Sequence, residues 1–411
     1  LNGKVQKPSA APQTFSPPDL PPIAAPLPAV VPPTPLPLSI PARTFTPVLE
    51  KRHPDGGRRS PRKGHTDMTT KITSTEDLYT LVDRSLIPHT QFEHAVSRVE
   101  QCLRAMQHCV DPIGLAIVGE SRTGKSRVLE HFESCHPPRR AENGREVPFL
   151  RVKVPSKPTV KGLVTLLLYK LGDPAYDKGT EIAKTIRLIV LLDKARTRVL
   201  ALDEFQHFFD KGTRKVQHHV ADWLKVLVDD ARVGLIVTGL PTCLSVIEQN
   251  EQLAGRFMAP VHLPRFDWRN ENDRAEFTGI LVGMGDTLAE FEWPQLSSPE
   301  IVFRFYCATG GLIGYLTKLL KQATWNALDV DSRAIGLQEL SVAHHEALIK
   351  EEPALQPGLD PFRNDFECQD TEEMMHRVRT IGTAAEEVPI PRQTSGCGRK
   401  PKINDIMSGT A

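Results

Sequence analysis

From Thr90 the chain reads Thr-Gln-Phe-Glu and then places Phe92, Val96, Val99, Leu103, Met106 and Val110 three or four residues apart. That spacing sets them on one stripe of an amphipathic helix; a capping box at Thr90–Glu93 predicts its start, and the pattern carries it to about Cys109. Short, unbroken apolar runs follow at Gly114–Val118, Phe149–Val154, Val199–Leu202 and Leu235–Val237, with helical patterns between them. Runs of this kind suit strands buried on both faces, so the alternation predicts an α/β fold, a parallel sheet covered by helices. Beyond about Pro264 no comparable strand recurs. Apolar faces at Phe277–Leu288 and Leu312–Leu328 predict a small helical lid domain instead.

Both ends of the chain break these patterns. Sixteen of the 35 prolines fall before residue 67, and a segment so dense in proline supplies neither a helix nor a sheet ladder. It reads as disordered or polyproline-like, with the basic stretch Lys51–Lys63 a solvated linker. The first methionine, Met68, stands where the composition turns globular, and translation is expected to start there. From about Pro361 the chain is polar, interrupted by Gly and Pro, and closes on Arg399-Lys400-Pro401-Lys402. The expected division is a proline-rich segment 1–67, an α/β nucleotide-binding domain 68–263, a helical lid 264–360 and a flexible tail 361–411.

Charge and composition narrow the classes. The 51 basic and 50 acidic side chains nearly cancel, so any nucleic-acid contact must come from a local patch. Seven cysteines include no C-x-x-C pair, and the odd count argues against a disulfide framework, which makes the reducing cytoplasm the expected location. The strongest apolar runs, Leu163–Leu171 and Ile186–Leu192, fall short of the ~20 residues a bilayer helix needs. The fourteen histidines make no H-E-x-x-H or Cys/His zinc spacing.

The chemistry gathers at strand ends. Gly119-Glu120-Ser121-Arg122-Thr123-Gly124-Lys125-Ser126 fits G-x-x-x-x-G-K-S, with an apolar run before it and a helical pattern after it. Such a loop turns its N–H groups and the following helix N-terminus toward phosphate oxygens; Lys125 would reach the β- and γ-phosphates of ATP and the Ser126 hydroxyl would bind Mg²⁺. About 80 residues on, the run Val199–Leu202 ends in Asp203-Glu204. At the carboxyl end of a parallel strand these carboxylates face the ligand crevice, Asp203 suited to Mg²⁺ and Glu204 to orienting and deprotonating the attacking water. Thr238, after the last strand, reads equally as a strand-end cap or a γ-phosphate sensor. Arg256 reads as a surface arginine or as a charge offered to a neighbouring subunit's ATP. Lys153, Lys157, Thr159 and Lys161 form a short basic loop after the second strand, solubilising or suited to DNA phosphates.

Taken together these residues resemble the AAA+ ATPases of transposition, the TniB group and its TnsC-like relatives, over roughly residues 68–350. The marks are Ile87-Pro88-His89, Gly119–Ser126, Arg151-Val152-Lys153-Val154-Pro155, Asp203-Glu204-Phe205-Gln206-His207, Thr238-Gly239-Leu240-Pro241 and Gln252–Phe257. The resemblance implies a P-loop AAA+ fold with a lid, and an ATPase that assembles with itself as a ring or filament on duplex DNA. Such a protein marks a target and recruits a separate TniA/TnsB-like transposase and a TniQ-like protein. By the same resemblance Lys125 and Ser126 take the phosphate-loop positions, Asp203 and Glu204 the Walker B pair, Thr238 sensor 1 and Arg256 the arginine finger. Ile87, Pro88 and His89 would line the adenine pocket, and the loop at Lys153–Lys161 would face the DNA. One departure is plain: Gly310-Gly311-Leu312-Ile313 is followed by Gly314 where many AAA+ lids carry an arginine, with Lys318 one turn on as a substitute. The alternative keeps the fold and changes the task, to a nucleotide-gated switch or scaffold in replication loading, STAND-type signalling or secretion.

Overall fold

The structure, a computed structural model, describes residues 75–109, 111–142, 144–210, 214–348 and 359–382. The proline-rich segment 1–67 and the basic stretches Lys51–Lys63 and Arg399–Lys402 lie outside them.

Five parallel strands form one sheet: β1 (Gly114–Val118), β4 (Phe149–Lys153), β5 (Val199–Asp203), β6 (Gly234–Gly239) and β7 (Val261–His262), in the order β4-β5-β6-β1-β7. A separate antiparallel hairpin, β2 (Arg139–Ala141) and β3 (Gly144–Glu146), precedes β4. Every residue of β1, β5 and β6 is buried, which is why these strands read as unbroken apolar runs. Alternate residues serve opposite faces. Ala116, Val118, Leu200, Leu202, Leu235 and Val237 join one core under helices Val160–Leu171, Glu181–Lys194 and Arg214–Ala231. Leu115, Ile117, Val199, Ala201 and Ile236 join the other, under helices Thr90–Ala105 and Lys125–Cys135.

From β1 the chain crosses to the far strand β4 and returns through β5 and β6 to lie beside β1 again. The carboxyl ends of β1, β5 and β6 therefore stand side by side, and the crevice above them is where an open parallel sheet receives a ligand.

A third core belongs to the helices Glu271–Thr287, Pro299–Thr309, Ile313–Asp329 and Leu337–Ala347, with Val82, Phe266 and Trp268 packed into it. Two of them, Glu271–Thr287 and Ile313–Asp329, carry the apolar faces that the spacing after Pro264 predicts; the other two have no such prediction.

Two expectations fail locally. Thr90 is not a cap: the N-cap is His89 in extended conformation, without a side-chain hydrogen bond, and the helix ends at Ala105. Residues 361–382, expected in a flexible tail, pack on the lid: Phe362 is buried, and helix Glu372–Thr380 buries Met375 and Val378. The buried Arg304 straps this segment down by donating to the carbonyls of Pro361 (2.6 Å) and Arg363 (2.8 Å). A polar, proline-interrupted sequence hid this because its few apolar residues find partners only in the folded lid.

The same strap sets a pH dependence. Burial pushes the His344 imidazole down to about 4, against the pull of the nearby Asp360 carboxylate and with a small downward push from His345. An unfolded-chain histidine titrates near 6.5, so as pH falls the unfolded state takes the proton first. Stability should therefore drop between about pH 6.5 and about pH 4, by up to ~3 kcal/mol. Urea unfolding across that window should show a shallower decline for His344→Gln; equal slopes would remove the histidine as the cause.

Candidate functional site

The loop Gly119–Gly124 leaves β1 and opens helix Lys125–Cys135, whose N-cap is Gly124 at φ 96°, a left-handed conformation that glycine takes without strain. Lys125 Nζ turns back into the loop, donating to the carbonyls of Gly119 (2.9 Å) and Glu120. Burial pushes this ammonium below the ordinary lysine value, against the pull of Glu204 and Asp203. A half-buried lysine whose hydrogen bonds, among the described residues, go to loop carbonyls is a group that a phosphate can claim.

Across the crevice, Asp203 is nearly fully buried and ringed by donors: Arg151 (2.8 Å), the Thr238 hydroxyl (2.6 Å), its neighbour's Glu204 N–H (3.0 Å) and the Ser126 hydroxyl. Burial alone would raise the carboxyl, but the bonds from Arg151, Thr238 and Ser126 outweigh it and hold Asp203 below its ordinary value. It is thus an anion beside a hydroxyl, a hard-oxygen pair of the kind Mg²⁺ takes when phosphates and water complete its shell. Among the described residues no group of three or more His, Cys, Asp or Glu gathers around a metal position, so a metal here would depend on a bound phosphate.

Glu204 sits at φ 58°, a left-handed backbone that a carboxylate residue adopts at a cost and that recurs at active sites. Gln206 Nε2 donates to Glu204 Oε2, Lys153 Nζ lies 3.9 Å from Oε1, and Gln206 Oε1 accepts from Leu240 N–H (3.3 Å). The glutamate is half-exposed yet oriented, as a group meant to hold a water must be.

The other predicted residues divide. Ile87, Pro88 and His89 run between the sheet unit and the lid: the His89 ring lies edge-on to Phe266 at 5.1 Å, and Ile87 packs against helix Glu271–Thr287 at Gly283. His89 Nδ1 is buried without a hydrogen bond. Thr238 is fully buried with its hydroxyl donating to Asp203 (2.6 Å), which orients that carboxylate. Arg256 lies at the opposite edge of the sheet, its carbonyl bonded to Gly114 N–H and its guanidinium 2.5 Å from Asp229. Lys153, Lys157 and Lys161 are exposed at and after the carboxyl end of β4, Lys153 beside Glu204. Thr159 accepts from Gly162 N–H as the N-cap of helix Val160–Leu171, which uses its oxygen as a structural acceptor.

Two residues stand at the site without a signal in the sequence. Arg151, inside the quoted Arg-Val-Lys-Val-Pro stretch, is the principal partner of Asp203. Arg265 grips the Glu120 carboxylate of the phosphate loop through Nε at 3.0 Å to both oxygens, and donates to Gly310 O of the lid at 3.2 Å. The lid touches the loop a second time: Gly314 N–H donates to Arg122 O (2.8 Å), and the Arg122 guanidinium stands 4.7 Å over the Tyr315 ring.

Residues 78–268 match the family model described as bacterial TniB protein. Among solved structures, Cdc6p from Pyrobaculum aerophilum is similar at a TM-score of 0.50 and 13% identity, over 68% of this chain and 74% of that one. The ORC2 protein of Aeropyrum pernix, as ADPNP–ADP complexes, is similar at a TM-score of 0.47 and 14% identity, over the same shares. At its identity the likeness to Cdc6p is one of fold, a parallel sheet flanked by helices with a helical region after it. No curated protein matches the chain. Among the described residues no helix is long and apolar enough to cross a membrane.

Proposed function

From the match of residues 78–268 to the TniB family model, on a parallel-sheet fold similar to that of Cdc6p, we propose that this protein is a Mg²⁺-dependent AAA+ ATPase that regulates DNA transposition by assembling on duplex DNA. The observation that carries the reading is the meeting, at one edge of the sheet, of the phosphate loop with Lys125, the Ser126–Asp203 pair and an oriented Glu204. Lys125 and the loop N–H groups would bind the phosphates, Ser126 and Asp203 would hold Mg²⁺, and the metal would supply charge neutralisation at the β- and γ-oxygens. Glu204 would take the proton of the attacking water as its oxygen bonds to the γ-phosphorus and the bond to the ADP oxygen breaks. His89 and Ile87 would flank the base, where the orphaned Nδ1 offers a polar partner. Arg256, turned away from its own site, would act on the ATP of the next copy.

The basic loop Lys153–Lys161 on the same edge supports a DNA role, because phosphate contacts there would be repeated in each copy of an assembly. In that assembly the transposase and a TniQ-like protein would be the partners recruited, and the joining of DNA ends would be theirs. The second reading, a nucleotide-gated scaffold that turns over little ATP, draws on Gly314 in place of a lid arginine.

Electron microscopy of the protein with duplex DNA tests the proposal directly. Rings or filaments are expected with ATP and Mg²⁺, and not with ADP or with Lys125→Ala. Absence of DNA association in every nucleotide state would instead assign the chain to signalling or secretion.

A further inference from the structure

The sheet has a second loop edge, at the amino ends of its strands, and that edge is lined with arginine. The hairpin β2–β3 sets Arg140 directly opposite Arg145, and both are exposed. Like charges facing each other across a ribbon destabilise it. The carboxylate at the ribbon's base offers no relief, because Glu146 is already shared by Arg139 (2.7 Å) and Arg196 (3.0 Å).

The turns ahead of β5 and β6 add Arg198 and Arg232, also exposed. Backbone bonds from Arg198 N–H to Pro148 O (2.9 Å) and from Gly234 N–H to Arg198 O (2.8 Å) tie the three turns side by side. With neighbouring strands roughly 4.8 Å apart, Arg198 and Arg232 stand on adjacent turns of this edge, and the ribbon of Arg140 and Arg145 leads into the strand beside them. None of the four has an ion pair or a side-chain hydrogen bond among the described residues, although Glu142, Asp193 and Asp230 stand on the same turns.

We infer that this amino-terminal edge is a docking surface for the phosphate backbone of nucleic acid, distinct from the nucleotide edge and independent of the nucleotide-gated reading. Guanidiniums are planar forks that bind phosphate oxygens two at a time. A phosphate between Arg140 and Arg145 removes the repulsion that the ribbon otherwise carries. Among the described residues no large apolar side chain is exposed on these three turns, which leaves them without the anchor of a peptide site. Contacts of this kind are independent of base sequence and weaken with salt.

The full chain, free of nucleotide, is titrated with a short fluorescent duplex at several salt concentrations, beside Arg140→Ala/Arg145→Ala/Arg232→Ala. The variant should bind at least about tenfold more weakly at low salt, and its salt slope should shrink by roughly 2 to 3, one counterion set per lost phosphate contact. Its unfolding temperature should hold or rise with the ribbon repulsion gone, and its ATP affinity should be unchanged. Replacing the same three arginines by lysine should retain most of the salt slope. Equal duplex affinity and slope in parent and variant overturn the inference, as does a parent that binds no duplex. Loss of binding to a glutamate-rich peptide with duplex binding intact would assign the edge to an acidic protein and overturn it too. Because no nucleotide is present, these outcomes are separate from failure of the ATP-gated assembly.

Discussion

Glu204→Gln is expected to lower ATP turnover by about 100-fold or more while ATP binding persists, because it removes the proton acceptor and keeps the shape of the side chain. Binding is preserved because Lys125 and the loop are untouched, and the Gln206 amide that now donates to Glu204 Oε2 can donate to the new amide oxygen as well. Steady-state phosphate release, compared with equilibrium binding of a fluorescent ATP analogue, separates the two effects. Unchanged turnover would place the base elsewhere. Nearly absent turnover in the parent, with full ATP-dependent assembly, would favour the scaffold reading.

Gly314→Arg is expected to harm the site that a lid arginine would ordinarily serve. A Cβ at 314 would stand 2.8 Å from Arg122 Cβ and 3.1 Å from Arg122 O, and the latter is the oxygen that Gly314 N–H now binds. Something must move, and Arg122, at φ 68° with its guanidinium over Tyr315, belongs to the phosphate loop itself. The lid should be pushed off, costing about 1 to 3 kcal/mol of stability as an overpacked contact does. Nucleotide affinity should fall by about tenfold, as 1.4 kcal/mol of lost loop support would imply. Thermal unfolding and nucleotide titration check it. Tighter ATP binding and faster hydrolysis in this variant would mean that the lid has room for an arginine and that the close approach is incidental.

Gly314 shows how sequence and structure divide the work. In the sequence it is a departure from a lid pattern, a missing charge. In the fold it is a place where two backbones meet, which no side chain can share. Arg265 is the converse: the sequence gives it no motif, yet it holds Glu120 and Gly310 together across 145 and 45 residues of chain.

The sequence by itself determined the parallel sheet, the phosphate loop and the pairing of Asp203 with Glu204 at a strand end. Each of these is written locally, in continuous apolar runs, in glycines at fixed spacing, and in carboxylates placed directly after a buried strand. What only the tertiary structure decided is who meets whom across the chain. Thr238 is bound to Asp203, Arg256 is tied to Asp229 at the far edge, Arg304 straps residues 361 and 363, and Arg140 faces Arg145. Long polar side chains have many possible partners and no periodicity that marks the chosen one; the strand order and the packing of the lid make that choice.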